Sequence, residues 1–443
     1  MTRLFGTDGV RGVANRDLTP DLALALGRAA GLVLAREGGR VVVGRDTRVS
    51  GPMLQGALTA GLCSAGSHVL DAGILPTPGV AWLTRAEDAS AGAVISASHN
   101  PVPDNGIKFF SAVGAKVSGD EEAAIEALLA DVPTDLPQGG DVGGVEPVED
   151  AMGRYVAHLT GSIDGPLNGL RVVLDCAHGA AWRVGPETFR RAGADVLALN
   201  DTPDGTRINV DCGSTSLDGL AKTVVAEGAS FGLGFDGDAD RVLAVDETGS
   251  VVDGDRIIAL AALHLKERGA LDGGLVVTTV MANLGLRRAL EQAGVDVVTV
   301  PVGDRYVAEA MTEHGAVLGG EQSGHVIFSE HATTGDGVLT GLKLAEMVAG
   351  AGRPLSELAA VFEPYPQVLL NVPIANRGAL EAADEVWTRV REAEESLGES
   401  GRILLRASGT EPLVRVMVEA ADAATAERVA RDLAVLVEEH LGA

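Results

Sequence analysis

The chain has 443 residues, a formal net charge of −27 at pH 7 and a pI near 4.6. With 46% hydrophobic and 22% charged residues it has material for several packed domains, which excludes a disordered chain. A body this acidic repels phosphate backbones and anionic lipid, which argues against nucleic acid and membrane surfaces as partners.

The opening MTRLFGTDGVRG has no apolar run of the kind a secretory signal needs. The longest stretch without Asp, Glu, Lys or Arg, Val49–Leu70, contains Ser, Gln, Thr, His and Pro and fails as a membrane span. Cys63, Cys176 and Cys212 form no C-x-x-C pair, as expected in a reducing, cytoplasmic setting. Thr19-Pro20 reads as an N-cap and first helical residue, opening a helix to about Arg36.

RVVVGRDTR (Arg40–Arg48), RVVLDCAHG (Arg171–Gly179) and LVVTTVMANLG (Leu275–Gly285) are nearly all-apolar runs before Gly-rich loops. Such runs predict parallel strands covered on both faces, with ligands at the loops beyond their carboxyl ends. Val132–Glu149, rich in Pro, Gly and Asp, reads as a surface connection, and the turn Asp246–Gly254 as a boundary. Phe362–Gln367 (FEPYPQ) is a Pro-punctuated break. The tail then reads strand, helix (Arg377–Leu397), strand (Arg402–Leu405), loop, strand (Val414–Glu419) and helix (Ala423–Leu441). The expected class is α/β: three related α/β domains with mixed sheets over residues 1–150, 151–252 and 253–366, plus a smaller C-terminal α+β domain over residues 367–443.

Five motifs carry chemistry. In FDGDADR (Phe235–Arg241), Asp236, Asp238 and Asp240 alternate, so an extended or looped backbone turns them to one side. Three carboxylates there repel one another unless a hard cation such as Mg²⁺ sits among them. An EF-hand would also begin D-x-D-x-D and finds Glu247 at its twelfth position, but Arg241 stands where Gly is needed and the flanks read as strands. The formal G-x-G-x-x-G at Gly232–Gly237 opens no helix, so the dinucleotide reading fails. A solvated acidic turn fits poorly between two apolar strands.

In VISASHNPVPDNGIKFF (Val94–Phe110), Ser98 sits at the tip of a strand exit, near His99 and Lys108. Its hydroxyl needs activation to act as a nucleophile, and an ordinary turn is the competing reading. GGEQSGHVIF (Gly319–Phe328) gathers Glu321, Gln322, Ser323 and His325, groups suited to a hydroxyl-rich ligand. LRASGTEPLVRVMVE (Leu405–Glu419) offers Ser408, Gly409 and Thr410 between Arg406 and Arg415, either an anion nest with two guanidinium arms or a surface turn. LFGTDGVRG (Leu4–Gly12) constrains Arg11; Arg45, Arg48 and Arg305 also stand close to glycines, which predicts a positive pocket for a small phosphate.

In this order the motifs resemble the α-D-phosphohexomutase superfamily, and within it the bacterial phosphoglucosamine mutase branch. FGTDGVRG (Phe5–Gly12), SASHNPVPDNGIKFF (Ser96–Phe110), DGDADR (Asp236–Arg241), GGEQSGH (Gly319–His325) and RASGTEPLVRVMVE (Arg406–Glu419) carry the resemblance, with VGDRYV (Val302–Val307) and INVDCGST (Ile208–Thr215) in support. One departure is Ser216, where the branch usually has His.

The resemblance implies four domains around a central cleft. It implies interconversion of glucosamine 6-phosphate and glucosamine 1-phosphate through phosphorylated Ser98 and a glucosamine 1,6-bisphosphate intermediate. One Mg²⁺ per chain would be held by Asp236, Asp238, Asp240 and an oxygen of phospho-Ser98. Arg11 and Lys108 match groups beside the reacting phosphate, and His325 a position proposed as acid/base. Glu321 and Ser323 match sugar contacts; Arg406, Ser408, Gly409, Thr410 and Arg415 match the clamp for the other phosphate. A homodimer is a further implication. The link at Phe362–Gln367 predicts a swinging last domain, to be read by small-angle scattering with bisphosphate. The rival within the superfamily is a phosphomannomutase or phosphoglucomutase. Outside it stand a metal-dependent phosphatase and a non-catalytic sugar-phosphate sensor, against which the clamp and the intact Ser98, Lys108 and aspartates argue.

Overall fold

The computed structural model describes residues 4–6, 8–36, 38–130, 135–407 and 412–442. They divide into two compact units: one runs to Thr279 and adds Val298–Ala360, and the other joins Val280–Val297 to the segment beginning at Val361.

The first unit holds three sheets. Val41, Val42 and Val43 are buried on both faces of the strand Arg40–Arg45, which runs parallel to His68–Ile74 and Ala91–Ile95. Asp104–Ser111 pairs antiparallel with Ala91–Ile95, and Val10–Val13 antiparallel with Asp104–Ser111. Thr19 caps the helix Pro20–Leu34, its side chain accepting from Leu22 N–H at 3.2 Å, as the Thr-Pro pair predicts. That helix crosses Gly51–Ser64 so closely that a Cβ on Gly27 would meet Leu58 O at 2.1 Å, and one on Gly61 would meet Leu24 O at 2.1 Å. Leu26, Leu54 and Leu58 are fully buried in the resulting core, each contributing about 2 kcal/mol.

In the second sheet Arg171–Asp175 lies parallel to Asp195–Leu199 and Phe231–Phe235, and the hairpin Phe231–Phe235/Val242–Asp246 closes around residues 236–241. The third includes Leu275–Thr279 parallel to Leu318–Gly320, which pairs antiparallel with Val326–Phe328. These are mixed sheets with helices on them, the α/β class that the apolar runs predict.

Two differences from the sequence reading have local causes. Within Val132–Glu149, Val145–Pro147 adds an edge strand parallel to His68–Ile74. The helix expected from Arg377 begins at Asp384. Before it, Leu380 is buried in a turn, its carbonyl accepting from Ala383 N–H at 3.2 Å and from Trp387 Nε1 at 2.8 Å.

The second unit is an antiparallel sheet in the order Gln367–Pro373, Leu413–Ala420, Gly401–Ala407, backed by the helices Asp384–Leu397 and Ala423–Leu441. Val280–Val297 is strapped to it. Arg402 donates to the carbonyls of Val280 (2.9 Å) and Ala282, and Glu419 Oε2 accepts from Leu284 N–H at 3.0 Å. All three cysteines are free. Among the described residues, no helix is long and apolar enough to cross a membrane.

Candidate active site

Residues 236–241 link two buried strands, which forces the three aspartates of the loop into the interior. Oxygen atoms of Asp236, Asp238 and Asp240 lie within 4.8 Å of one another. Burial, then repulsion from Asp240 and Asp238, holds the Asp236 carboxyl well above its ordinary pKa. Asp240 stands well below: burial pushes it up, but Lys108, His325 and Arg241 together outweigh that cost. Asp238 Oδ1 and Asp240 Oδ1 are buried without hydrogen-bond partners, as vacant oxygen ligands for a hard cation would be. Glu247 accepts instead from Ser356 N–H at 3.2 Å, and a strand follows the loop, so neither an EF-hand nor a dinucleotide turn is built here.

Ser98 reaches this loop from the end of the strand Ala91–Ile95. It is fully buried, adopts φ +51°, and its Oγ donates to Asp236 Oδ2 at 2.5 Å. Gly237 permits the approach: a Cβ there would stand 2.6 Å from Ser98 O. His99 Nδ1 lies 3.1 Å from Ser98 Oγ. Burial first, then Arg241 and Arg11, pushes the His99 imidazole down to about 4, so it is neutral at pH 7. Lys108, on the adjacent strand, contacts Asp238 Oδ2 at 3.0 Å, Asp8 Oδ2 at 3.3 Å and Asp240 Oδ2 at 3.5 Å. Burial alone would lower its ammonium, but Asp238, Asp8 and Asp240 together raise it. Arg11 pairs with Asp8 and donates to Asn100 Oδ1 at 3.4 Å. Ser98, Lys108, Arg11 and the three aspartates thus form one cluster.

His325 is buried beside it. Nε2 accepts from Gly335 N–H at 3.0 Å, which leaves the ring proton on Nδ1, 3.8 Å from Asp240 Oδ2. Both nitrogens face protein groups. Glu321 Oε1 accepts from Gly303 N–H at 3.2 Å, and Ser323 Oγ is buried with no partner among the described residues. In the second unit Arg406 and Arg415 face each other across paired strands, each with a buried Nε that has no hydrogen-bond partner among the described residues, as an anion site would leave them. Burial and then Arg415 lower the Arg406 pKa. Ser408, Gly409 and Thr410 lie outside the described residues.

Three arginines expected to face a phosphate do not. Arg305 pairs with Glu122, its Nη1 3.0 Å from Oε2. Arg45 Nε donates to Gln55 at 2.9 Å and Nη1 to Asp46 O at 3.1 Å. Arg48 is fully buried and bonded to its own chain. An arginine beside a glycine looks the same in sequence whether its donors meet a ligand or a carbonyl fifty residues away. Sequence reading also passed over Asp8 and Arg241, both inside motifs already singled out. It passed over Thr77 too, whose Oγ1 donates to Asp238 Oδ2 at 2.6 Å and which no motif marks.

The chain matches the phosphoglucomutase/phosphomannomutase family in four consecutive parts: alpha/beta/alpha domain I over residues 2–134, domain II over 153–249, domain III over 253–365 and the C-terminal domain over 369–436. It is 56% identical over 433 residues to a phosphoglucosamine mutase of Moorella thermoacetica, covering 97% of this chain and 98% of that one. It is 55% identical over 452 residues to a phosphoglucosamine mutase of Streptomyces coelicolor, covering all of both. A crystal structure of a phosphoglucomutase/phosphomannomutase family protein from Burkholderia thailandensis superposes with a TM-score of 0.85 at 27% identity, over 99% of this chain and 98% of that one. N-acetylphosphoglucosamine mutase of Aspergillus fumigatus, solved with GlcNAc-6P and magnesium, shares the fold at a TM-score of 0.73 and 19% identity, over 99% and 96% of the two chains. The chain belongs to the phosphoglucomutase/phosphomannomutase family, in its phosphoglucosamine mutase branch.

Proposed function

We propose that this chain is an isomerase that interconverts glucosamine 6-phosphate and glucosamine 1-phosphate, in the cytoplasmic route to UDP-N-acetylglucosamine and peptidoglycan. The observation that carries the reading is Ser98: a buried hydroxyl on a left-handed turn, 2.5 Å from a carboxylate of a three-aspartate cluster, in a chain of this family. The amino sugar is favoured over glucose or mannose phosphate by full-length relatives at 55–56% identity that bear the phosphoglucosamine mutase name.

The two sugar oxygens lie too far apart for direct transfer, so Ser98 Oγ serves as common donor and acceptor. In each half-reaction a P–O bond forms to one oxygen as the P–O bond to the other breaks, and the attacking hydroxyl's proton passes to the oxygen that departs. Ser98 first phosphorylates the substrate to glucosamine 1,6-bisphosphate. The bisphosphate reverses in the site and returns its other phosphate to Ser98. Such a transfer depends on positioning and charge more than on covalent help.

Asp236, Asp238 and Asp240 would hold Mg²⁺ with a phospho-Ser98 oxygen, and the ion supplies charge neutralisation for the transferring group when bound. Lys108 keeps its proton, so its ammonium stabilises charge on the transferring phosphate. Arg11 orients the same phosphate. His325 acts through Asp240, since its Nε2 is committed to Gly335 N–H. Glu321 and Ser323 meet sugar hydroxyls. Arg406 and Arg415, with Ser408, Gly409 and Thr410, grip the phosphate that is not reacting.

The test is intact-mass analysis after incubation with glucosamine 1,6-bisphosphate and Mg²⁺. One phosphoryl group should appear on the wild-type chain and none on Ser98→Ala. Equal labelling of both chains contradicts the assignment of Ser98.

A further inference from the structure

Arg48 gives four of its five side-chain donors to the loop that carries Ser98. Its Nε bonds Asp46 Oδ2 at 3.0 Å. Nη1 donates to the carbonyls of Pro101 (2.7 Å) and Asp104 (2.9 Å), and Nη2 to those of Ser98 (2.9 Å) and Asn100 (2.8 Å). A guanidinium has five N–H groups, and here five acceptors meet them with none left for a ligand. The other backbone group of Ser98 is held through the same network: its N–H donates to Ser96 Oγ at 2.9 Å, and Ser96 Oγ donates to Asp46 Oδ2 at 2.6 Å. Asn209, from the second sheet's side of the site, adds a donor to Ser98 O at 2.9 Å.

Ser98 stands at φ +51°, a conformation that a residue with a side chain keeps only where its surroundings over-determine it. The nucleophile's backbone is therefore set by Arg48 and not by its own preference. We infer that Arg48 is a positioning residue, whose guanidinium fixes the left-handed turn at Ser98 and thereby places Oγ for phosphoryl transfer. It touches neither substrate nor the reacting oxygen. This rests on the reading of Ser98 as the phosphate carrier.

Arg48→Lys preserves the charge opposite Asp46 but offers three donors from one point and cannot span four carbonyls. A displacement of the nucleophile by about 1 Å costs on the order of 10²-fold in rate. The expected result for Arg48→Lys is kcat lower by about 10²-fold, KM within about threefold of wild type, and faster amide exchange confined to residues 96–104. Asn209 is half-buried at φ +60°, a conformation Asp tolerates as Asn does, so Asn209→Asp, which removes the donor and keeps the shape, should lower kcat by about tenfold, with the two losses combining non-additively because both donors meet one carbonyl. If Arg48→Lys fails to fold, Asn209→Asp decides. Wild-type kcat in folded Arg48→Lys or in Asn209→Asp, or exchange in residues 96–104 unchanged by either, overturns the inference. An inert wild-type protein overturns the functional reading instead, and amide exchange still decides the clamp.

Discussion

Lys108 Nζ lies 3.0 Å from Asp238 Oδ2 with both side chains buried, and Asp8 and Asp240 close in at 3.3 and 3.5 Å. Arg11 and Lys116 also pair with Asp8, and Arg241 lies 3.7 Å from Asp240, so Lys108 is the cation that Asp238 alone depends on. Lys108→Met leaves the buried Asp238 carboxylate without its cation. Stability should fall by about 3–5 kcal/mol in chelator and recover in part with Mg²⁺, while turnover is lost. Thermal unfolding with and without Mg²⁺ checks this. For wild type, Mg²⁺ at about 100 times its Kd should stabilise by about 2.7 kcal/mol, an effect absent in Asp238→Asn. Equal Mg²⁺ shifts in wild type and Asp238→Asn would place the ion elsewhere.

Gly237 is the point where the aspartate loop meets the serine loop. Its missing Cβ would stand 2.6 Å from Ser98 O and 2.9 Å from Ile208 Cδ1. Gly237→Ala must push the two loops apart, and kcat should drop by on the order of 10²-fold. Retained turnover in Gly237→Ala would show that the loops tolerate separation.

Asp336 caps the helix Gly337–Ala351 through Leu339 N–H at 2.9 Å and accepts from Tyr155 OH at 2.5 Å. Burial raises its carboxyl from 3.8 to about 6. Between those values the folded chain holds a proton that the unfolded chain has released. This group's contribution is therefore full below the unfolded value, falls as pH rises to about 6 and is constant above. Asp336→Asn keeps a cap and removes the titration. Its stability relative to wild type should grow by about 3 kcal/mol between about pH 4 and pH 6, then level off. Parallel denaturation curves for the two proteins across that range would contradict the assignment.

In the second unit Glu419, fully buried, pairs with Arg402 Nε at 2.6 Å. Arg402→Ala strands that carboxylate and releases the carbonyls of Val280 and Ala282. The loss should be about 3 kcal/mol, with faster amide exchange in Val280–Val297 as well as along the sheet. Exchange confined to the sheet would show that the segment is not strapped there.

The chemistry of the site was legible where neighbours in sequence are neighbours in space. Asp236, Asp238 and Asp240 share one hairpin loop, so spacing reported their convergence, whereas the place of Ser98 and Lys108 beside them came from the family resemblance. The Thr19 cap and the Ala423–Leu441 helix were legible for the same reason, being local. Arg48 was not. Its meaning depends on carbonyls at Ser98, Asn100, Pro101 and Asp104, which only the fold brings to it. Thr77 reaches Asp238 across 161 positions. The helix Asp384–Leu397 starts after a turn in which the Leu380 carbonyl accepts from both Ala383 N–H and the Trp387 side chain.

The most direct measurement is a coupled assay of the purified chain with Mg²⁺. Glucosamine 6-phosphate, glucose 1-phosphate and mannose 6-phosphate are offered in turn with a trace of the matching bisphosphate, beside Ser98→Ala and Asp238→Ala. The account predicts fast turnover of the amino sugar, abolished in both variants. Preference for glucose or mannose phosphate would keep the phosphoserine route and overturn the substrate. Release of free phosphate without isomerisation would contradict the account itself.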